Sequence, residues 1–111
     1  EDCIVTNGAG NYAIWTARYL RIRQFGGLLA PVSGSMGYGL PAAVGAKSLH
    51  PDRMVVSFAG DGCFMMNGQE FATAVQYNLP IVVVVIEFML VTHVLCAFAW
   101  LIFTARCDIV G

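Results

Sequence analysis

Met54-Val55-Val56-Ser57-Phe58-Ala59-Gly60-Asp61-Gly62 is the stretch that decides the fold class. Its first five residues are apolar and β-branched almost throughout, with no polar alternation. Continuous runs of that kind mark strands buried on both faces, as in a parallel sheet. The run stops at a glycine–acid–glycine turn. Downstream, Asn67 with Glu70 makes a capping-box-like start to a helix through Tyr77. Asn78 and Pro80 close that helix, and Ile81 to Ile86 is a second buried strand. Upstream, Cys3 to Thr6 is a short apolar strand that ends at a glycine cluster. Asn11 offers an N-cap for a helix carrying Ile14, Trp15, Ala17, Arg18 and Leu20 to Ile22, which Gly26-Gly27 ends. Leu28 to Ala30 is a further short strand, and Ser33 to Gly39 a glycine-rich loop. Pro41 sits near the start of the next helix, Ala42 to Leu49, where a missing N–H costs little. The small residues of that helix imply close packing on a neighbour. The order β-α-β-α-β-α-β predicts an α/β fold: a doubly wound, mainly parallel sheet with helices on both faces.

Residues 1–86 carry this pattern, and residues 87–111 read differently. From Ile81 to Ala105 the only charged residue is Glu87. The chain is 58% hydrophobic and 12% charged, against about 25% charged in an ordinary soluble domain. Its surface must be buried in itself, in a partner or in a membrane. The net charge of −1 carries no electrostatic footprint for nucleic acid. Arg18, Arg21 and Arg23 fall on one helical stretch and read as a solvated face. Cys3, Cys63, Cys96 and Cys107 have no zinc-knuckle or redox-pair spacing, and His93 with Cys96 lacks a second pair to complete a tetrahedral site. All four cysteines are expected to be reduced, inside the cell. The chain begins at Glu1 with no signal peptide in view, which leaves open that it starts inside a longer protein.

Ligands of an open parallel sheet bind beyond the carboxyl ends of its strands. Three glycine-rich segments follow strands: Gly8-Ala9-Gly10-Asn11, Gly34-Ser35-Met36-Gly37 and Gly60-Asp61-Gly62. All three are expected on one edge, where glycines let backbone approach a ligand. Asp61 has two readings. A lone carboxylate beside phosphate suits Mg²⁺, which takes one or two carboxylates plus phosphate oxygens; equally, Asp-Gly is a common turn pair. Gly8-x-Gly10-x-x-Ala13 also fits a dinucleotide fingerprint, but that motif wants an acid roughly 20 residues on. No Asp or Glu stands between Asp2 and Asp52.

Three segments in order carry a resemblance: Ser33 to Ala46 (SGSMGYGLPAAVGA), Val55 to Gly62 (VVSFAGDG) and Gln69 to Ile81 (QEFATAVQYNLPI). Together they resemble the C-terminal, diphosphate-binding domain of thiamine-diphosphate enzymes, most of all the acetolactate synthase-like branch. The resemblance covers about residues 1–86. It implies thiamine diphosphate and Mg²⁺ as cofactors, leaves FAD open for the intact enzyme, and makes Asp61 the metal ligand. Asn11 and Tyr12 match polar contacts to the diphosphate, and Gly60, Gly62 and Cys63 line the same tail. Met36 matches the large apolar residue under the bent cofactor, with the Gly34 carbonyl and neighbouring Ser35 beside the aminopyrimidine. On residue type alone, Met36 reads equally as a gap-filling core methionine, Cys63 as a small buried residue, and Asn11 and Tyr12 as helix cap and packing.

The family's Asn-Asn after the strand is absent, since Glu87 and Phe88 stand there. A frameshift, an unspliced segment or a sequencing error would each produce so abrupt a change. The family's activating glutamate comes from the pyrimidine-binding domain of a partner subunit, which this chain lacks, so no catalytic residue is assigned. The intact enzyme is expected to be a transferase or lyase acting on a small 2-oxo acid such as pyruvate, in branched-chain amino acid biosynthesis. Cytoplasmic location is expected, or organellar in a eukaryote. The rival readings are a non-catalytic remnant and a small protein anchored by a membrane span over Ile81 to Ala105, the latter disfavoured by its β-branched first third.

Overall fold

A computed structural model describes residues 3–86 and the backbone of Trp100–Thr104. Five strands form one sheet: β1 (Cys3–Asn7), β2 (Leu28–Leu29), β3 (Met54–Gly60), β4 (Val82–Ile86) and β5 (Trp100–Thr104). Their order is β2-β1-β3-β4-β5. The first four are parallel, and β5 runs antiparallel to β4 on the edge. Among the described residues four helices connect the parallel strands: α1 (Ala13–Tyr19), α2 (Gly39–Leu49), α3 (Asp61–Asn67) and α4 (Glu70–Gln76). The architecture is the doubly wound α/β sheet that the uninterrupted apolar runs predict.

Register explains the core. Ile4 lies beside Val55, and Thr6 beside Ser57, which lies beside Val83. Strand side chains alternate in direction, so these residues share one face. That face is sealed by α2, which crosses β1 and β3 and packs on α4. Ala43 and Val83 are wholly buried, with Ile4, Leu40, Val55 and Ile81 almost so. The small residues of α2 bring its backbone close to the sheet: Thr6 Oγ1 donates to the Gly39 carbonyl at 2.7 Å.

The second face is covered less. Val56, Phe58, Val82, Val84 and Ile86 are only half-buried. Right-handed crossovers place α1 there and α2 and α4 opposite. Ile14, Trp15 and Tyr19 of α1 are themselves exposed, with the last two rings stacked at 5.6 Å.

Several local expectations are corrected. Asn11 does not cap α1. Instead Ala13, Ile14 and Trp15 donate their N–H groups to the carbonyls of Gly10, Asn11 and Tyr12, a tight entry turn that satisfies the orphan donors without a side chain. The helix ends at Tyr19, where Leu20 turns extended. Leu20 to Ile22 therefore leave it, as do Arg21 and Arg23, because the chain must return to the foot of the sheet before β2. The Asn67–Glu70 capping box does not form. Asn67 ends α3 and donates to the Gly37 carbonyl at 2.8 Å, while Glu70 accepts from Thr73 Oγ1. Helix α2 starts at Gly39, so Pro41 still falls among the first residues, whose N–H groups need no intrahelical partner.

Candidate functional site

The strand order reverses at β1, which makes the gap between β1 and β3 a topological switch point, the usual crevice of an open α/β sheet. At their carboxyl ends Asn7 pairs with Phe58, so Gly8 and the Gly60-Asp61-Gly62 turn emerge side by side. Between them lies a cleft of about 140 Å³.

Of the residues expected to hold a cofactor, Asn11, Tyr12, Met36, Gly60, Asp61, Gly62 and Cys63 line this cleft. Gly34 and Ser35 do not; they stay on an exposed loop in which Ser33 and Ser35 share a hydrogen bond of 2.7 Å. The loop's inner end is fixed. Gly37 adopts φ +80, where a Cβ would fall 2.7 Å from the side-chain Nδ2 of Asn67. Met36 reaches inward from there: its Cε lies 3.1 Å from where a Cβ on Gly62 would stand. Ile86 also lines the cleft. Sequence reasoning passed over it, although a residue ending a buried strand is a natural candidate under the carboxyl-end rule.

Asp61 is the first residue of α3 and is exposed. Among the described residues no three His, Cys, Asp or Glu gather to hold a metal, and Asp61 is the one carboxylate among those that line the cleft. None of the described residues that line the cleft is Lys or Arg. A phosphate group here would have to be neutralised by a cation, and a single carboxylate beside open glycine backbone suits Mg²⁺ shared with phosphate oxygens. The residues present thus fit a Mg²⁺–diphosphate group better than a bare anion.

Tyr12 and Cys63 are buried beneath the loop. The Tyr12 hydroxyl accepts from the Gly8 N–H at 3.0 Å, and Cys63 Sγ donates to the Ala9 carbonyl at 2.9 Å. Burial, with the Cys63 thiol beside it, pushes the Tyr12 phenol above its ordinary value; the amides of Gly60 and Gly8 act the other way. A larger cavity, about 700 Å³, lies at the foot of the sheet between β1 and the segment carrying Arg21 and Arg23. It lies away from the switch point, and none of the described residues that line it is an acid.

Glu87 and Phe88, the positions after β4, and Cys96 and Cys107 lie outside the described residues. No helix among the described residues is long and apolar enough to cross a membrane, and the first part of the supposed span, Ile81 to Ala105, contains β4.

The model of the thiamine pyrophosphate enzyme C-terminal TPP binding domain matches residues 8–87. The acetolactate synthase large subunit of Porphyra purpurea is 41% identical over 87 residues, which is 78% of this chain and 15% of that protein. The large subunit from Parasynechococcus marenigrum (strain WH8102) is 44% identical over 86 residues, covering 78% of this chain and 14% of its own length. The isozyme 2 large subunit of Escherichia coli (strain K12) is 40% identical over 87 residues, with 78% and 16% covered. The chain therefore spans about one-sixth or less of the curated relatives it matches.

Proposed function

The chain belongs to the thiamine pyrophosphate enzymes, as their C-terminal TPP-binding domain, and from that membership we propose that it forms the diphosphate-and-Mg²⁺ half of the cofactor site of an acetolactate synthase-like enzyme. The observation that carries the reading is the composition of the cleft among the described residues: one carboxylate, open glycine backbone and no cationic side chain, at the β1/β3 switch point. When bound, thiamine diphosphate supplies the carbanion chemistry by which 2-oxo acids are decarboxylated and joined, and the protein orients it. Asp61 holds the cation. Gly60 and Gly62 offer backbone to the diphosphate, and Met36 stands at the mouth as an apolar support. Residues 1–86 constitute the cofactor domain, and residues 87–111 a divergent tail.

The cleft is well below the roughly 300–1,000 Å³ of a complete ligand pocket. That size agrees with a site closed by a second domain, the pyrimidine-binding domain of a partner subunit, which would bring the activating glutamate. Glu87 and Phe88 stand where the family pattern has its Asn-Asn, and a Phe side chain offers Mg²⁺ no oxygen. Mg²⁺ demands near-octahedral coordination, so the chain alone is expected to bind thiamine diphosphate only weakly.

The test is a titration with thiamine diphosphate followed through the amide resonances of Gly60 and Gly62. Millimolar-range binding that needs Mg²⁺ and disappears in Asp61→Ala is expected. Binding indifferent to Mg²⁺ or to Asp61→Ala, or no perturbation at all, sinks the reading; submicromolar affinity sinks the argument from the missing ligand.

A further inference from the structure

The cleft's two walls are gripped from inside by two buried side chains, each rooted next to one wall and bonded to, or packed against, the other. Tyr12 stands at the entry to α1, on the β1 side. Its hydroxyl accepts from Gly8 N–H, and its ring edge lies where side chains on both walls would otherwise be: a Cβ on Gly10 would stand 2.8 Å from Cε1, and one on Gly60, at the end of β3, 3.0 Å from the same atom. Cys63 stands in α3, on the β3 side. Its Sγ donates to the Ala9 carbonyl in the loop after β1, and lies 3.2 Å from where a Cβ on Gly8 would be. The grip is reciprocal, and both polar atoms are engaged by the loop after β1.

We propose that Tyr12 and Cys63 are positioning residues that lock the loop after β1 to the β3–α3 turn and so set the spacing of the glycine backbone across the cleft, a role that takes its purpose from the diphosphate reading above. The lock acts through hydrogen bonds to backbone, so it depends on the hydroxyl at position 12 and on a donor at position 63. It does not need either group to touch the ligand. Serine at 63 keeps the donor and should serve; alanine should not. Phenylalanine at 12 keeps the ring that spaces Gly10 from Gly60 but frees the Gly8 N–H.

The experiment is nuclear magnetic resonance on the full chain, first without ligand. Tyr12→Phe and Cys63→Ala are expected to speed amide exchange at Gly8 about tenfold or more, and Cys63→Ala to shift Gly8 and Gly10 across the cleft as well as Gly62. Cys63→Ser is expected to stay near the parent chain. Cys63→Val, which fills the site without the donor, gives the same reading where the alanine variant does not fold. Mg²⁺ with inorganic pyrophosphate is then titrated. Affinity should fall about tenfold in Tyr12→Phe and Cys63→Ala, the equivalent of one lost hydrogen bond, and return in Cys63→Ser. Unchanged Gly8 exchange, shifts confined to one wall, or a serine variant that behaves like alanine overturns the proposal. If the exchange results hold and pyrophosphate perturbs nothing in the parent chain, the lock stands and the diphosphate reading falls.

Discussion

At Gly39 a Cβ would stand 3.1 Å from the Gly8 nitrogen and 3.2 Å from the Asn7 carbonyl carbon. Both are backbone atoms at the end of β1, so neither can swing aside. Gly39→Ala must push α2 off the sheet or lift the loop that walls the cleft, and a loss of about 1–3 kcal/mol is expected in denaturant unfolding. Gly45 lies in the same helix, exposed, with nothing within 4 Å of an added Cβ. Gly45→Ala should therefore raise stability by about 0.5–1 kcal/mol; if both variants lose stability, the close approach of α2 is not the cause at Gly39. Tyr12 adds a pH signature. Its phenol is raised above its ordinary value in the folded chain. Below about pH 10 it is neutral in both states. Above that, the unfolded chain ionises first while the folded phenol keeps its proton, so stability falls as pH rises. The urea midpoint should drop as pH rises past about 10 in the parent chain and drop less in Tyr12→Phe.

At the scale of elements, α2 ends on a buried ammonium. Lys47 Nζ donates to the Pro51 and Arg53 carbonyls, both at 2.7 Å, tying the turn that leads into β3 to the helix before it. Lys47→Met keeps the stem and removes both bonds, and should cost about 2 kcal/mol in denaturant unfolding; an unchanged midpoint would show the turn to be held by other contacts. Strands β3 and β4 were legible from sequence because burial on both faces writes an unbroken apolar run. The place of Gly60 and Asp61 on the cleft was legible because they follow the carboxyl end of such a run. Helix α3 was not. Asp61-Gly62 reads locally as a turn, and the helix there is held by tertiary contacts, Cys63 with Ala9 and Asn67 with Gly37, which no window of sequence displays. The same override moved Leu20 to Ile22 out of α1 and made an N-cap at Asn11 unnecessary, since the loop carbonyls already accept the first N–H groups.

For the whole molecule, the half-buried second face of the sheet and the exposed Ile14, Trp15 and Tyr19 of α1 form apolar surface without a cover among the described residues. Such surface promotes association, so sedimentation is expected to show concentration-dependent self-association of the isolated chain; a monomer at all concentrations would mean that this face is shielded. Acetolactate formation from pyruvate, with cofactor, Mg²⁺ and flavin in excess, is expected to be absent. The base in this chemistry is activated by an acid within about 3 Å of the far ring nitrogen, and on the reading proposed above Asp61 would stand at the diphosphate end. Turnover that vanished in Asp61→Ala would refute this. The place of β1 between β2 and β3 also has a consequence in time. Each of its residues pairs with one 51 positions downstream in β3, and the cleft is walled by segments equally far apart. Closing so long a loop must precede any reward from pairing, which raises contact order and slows folding. On a ribosome adding about 5–20 residues per second, β1 emerges seconds before its main partner exists. During that interval Ile4 and Val5 have only the two-residue β2 to pair with, and no glycine cradle can assemble until α3 has left the exit tunnel.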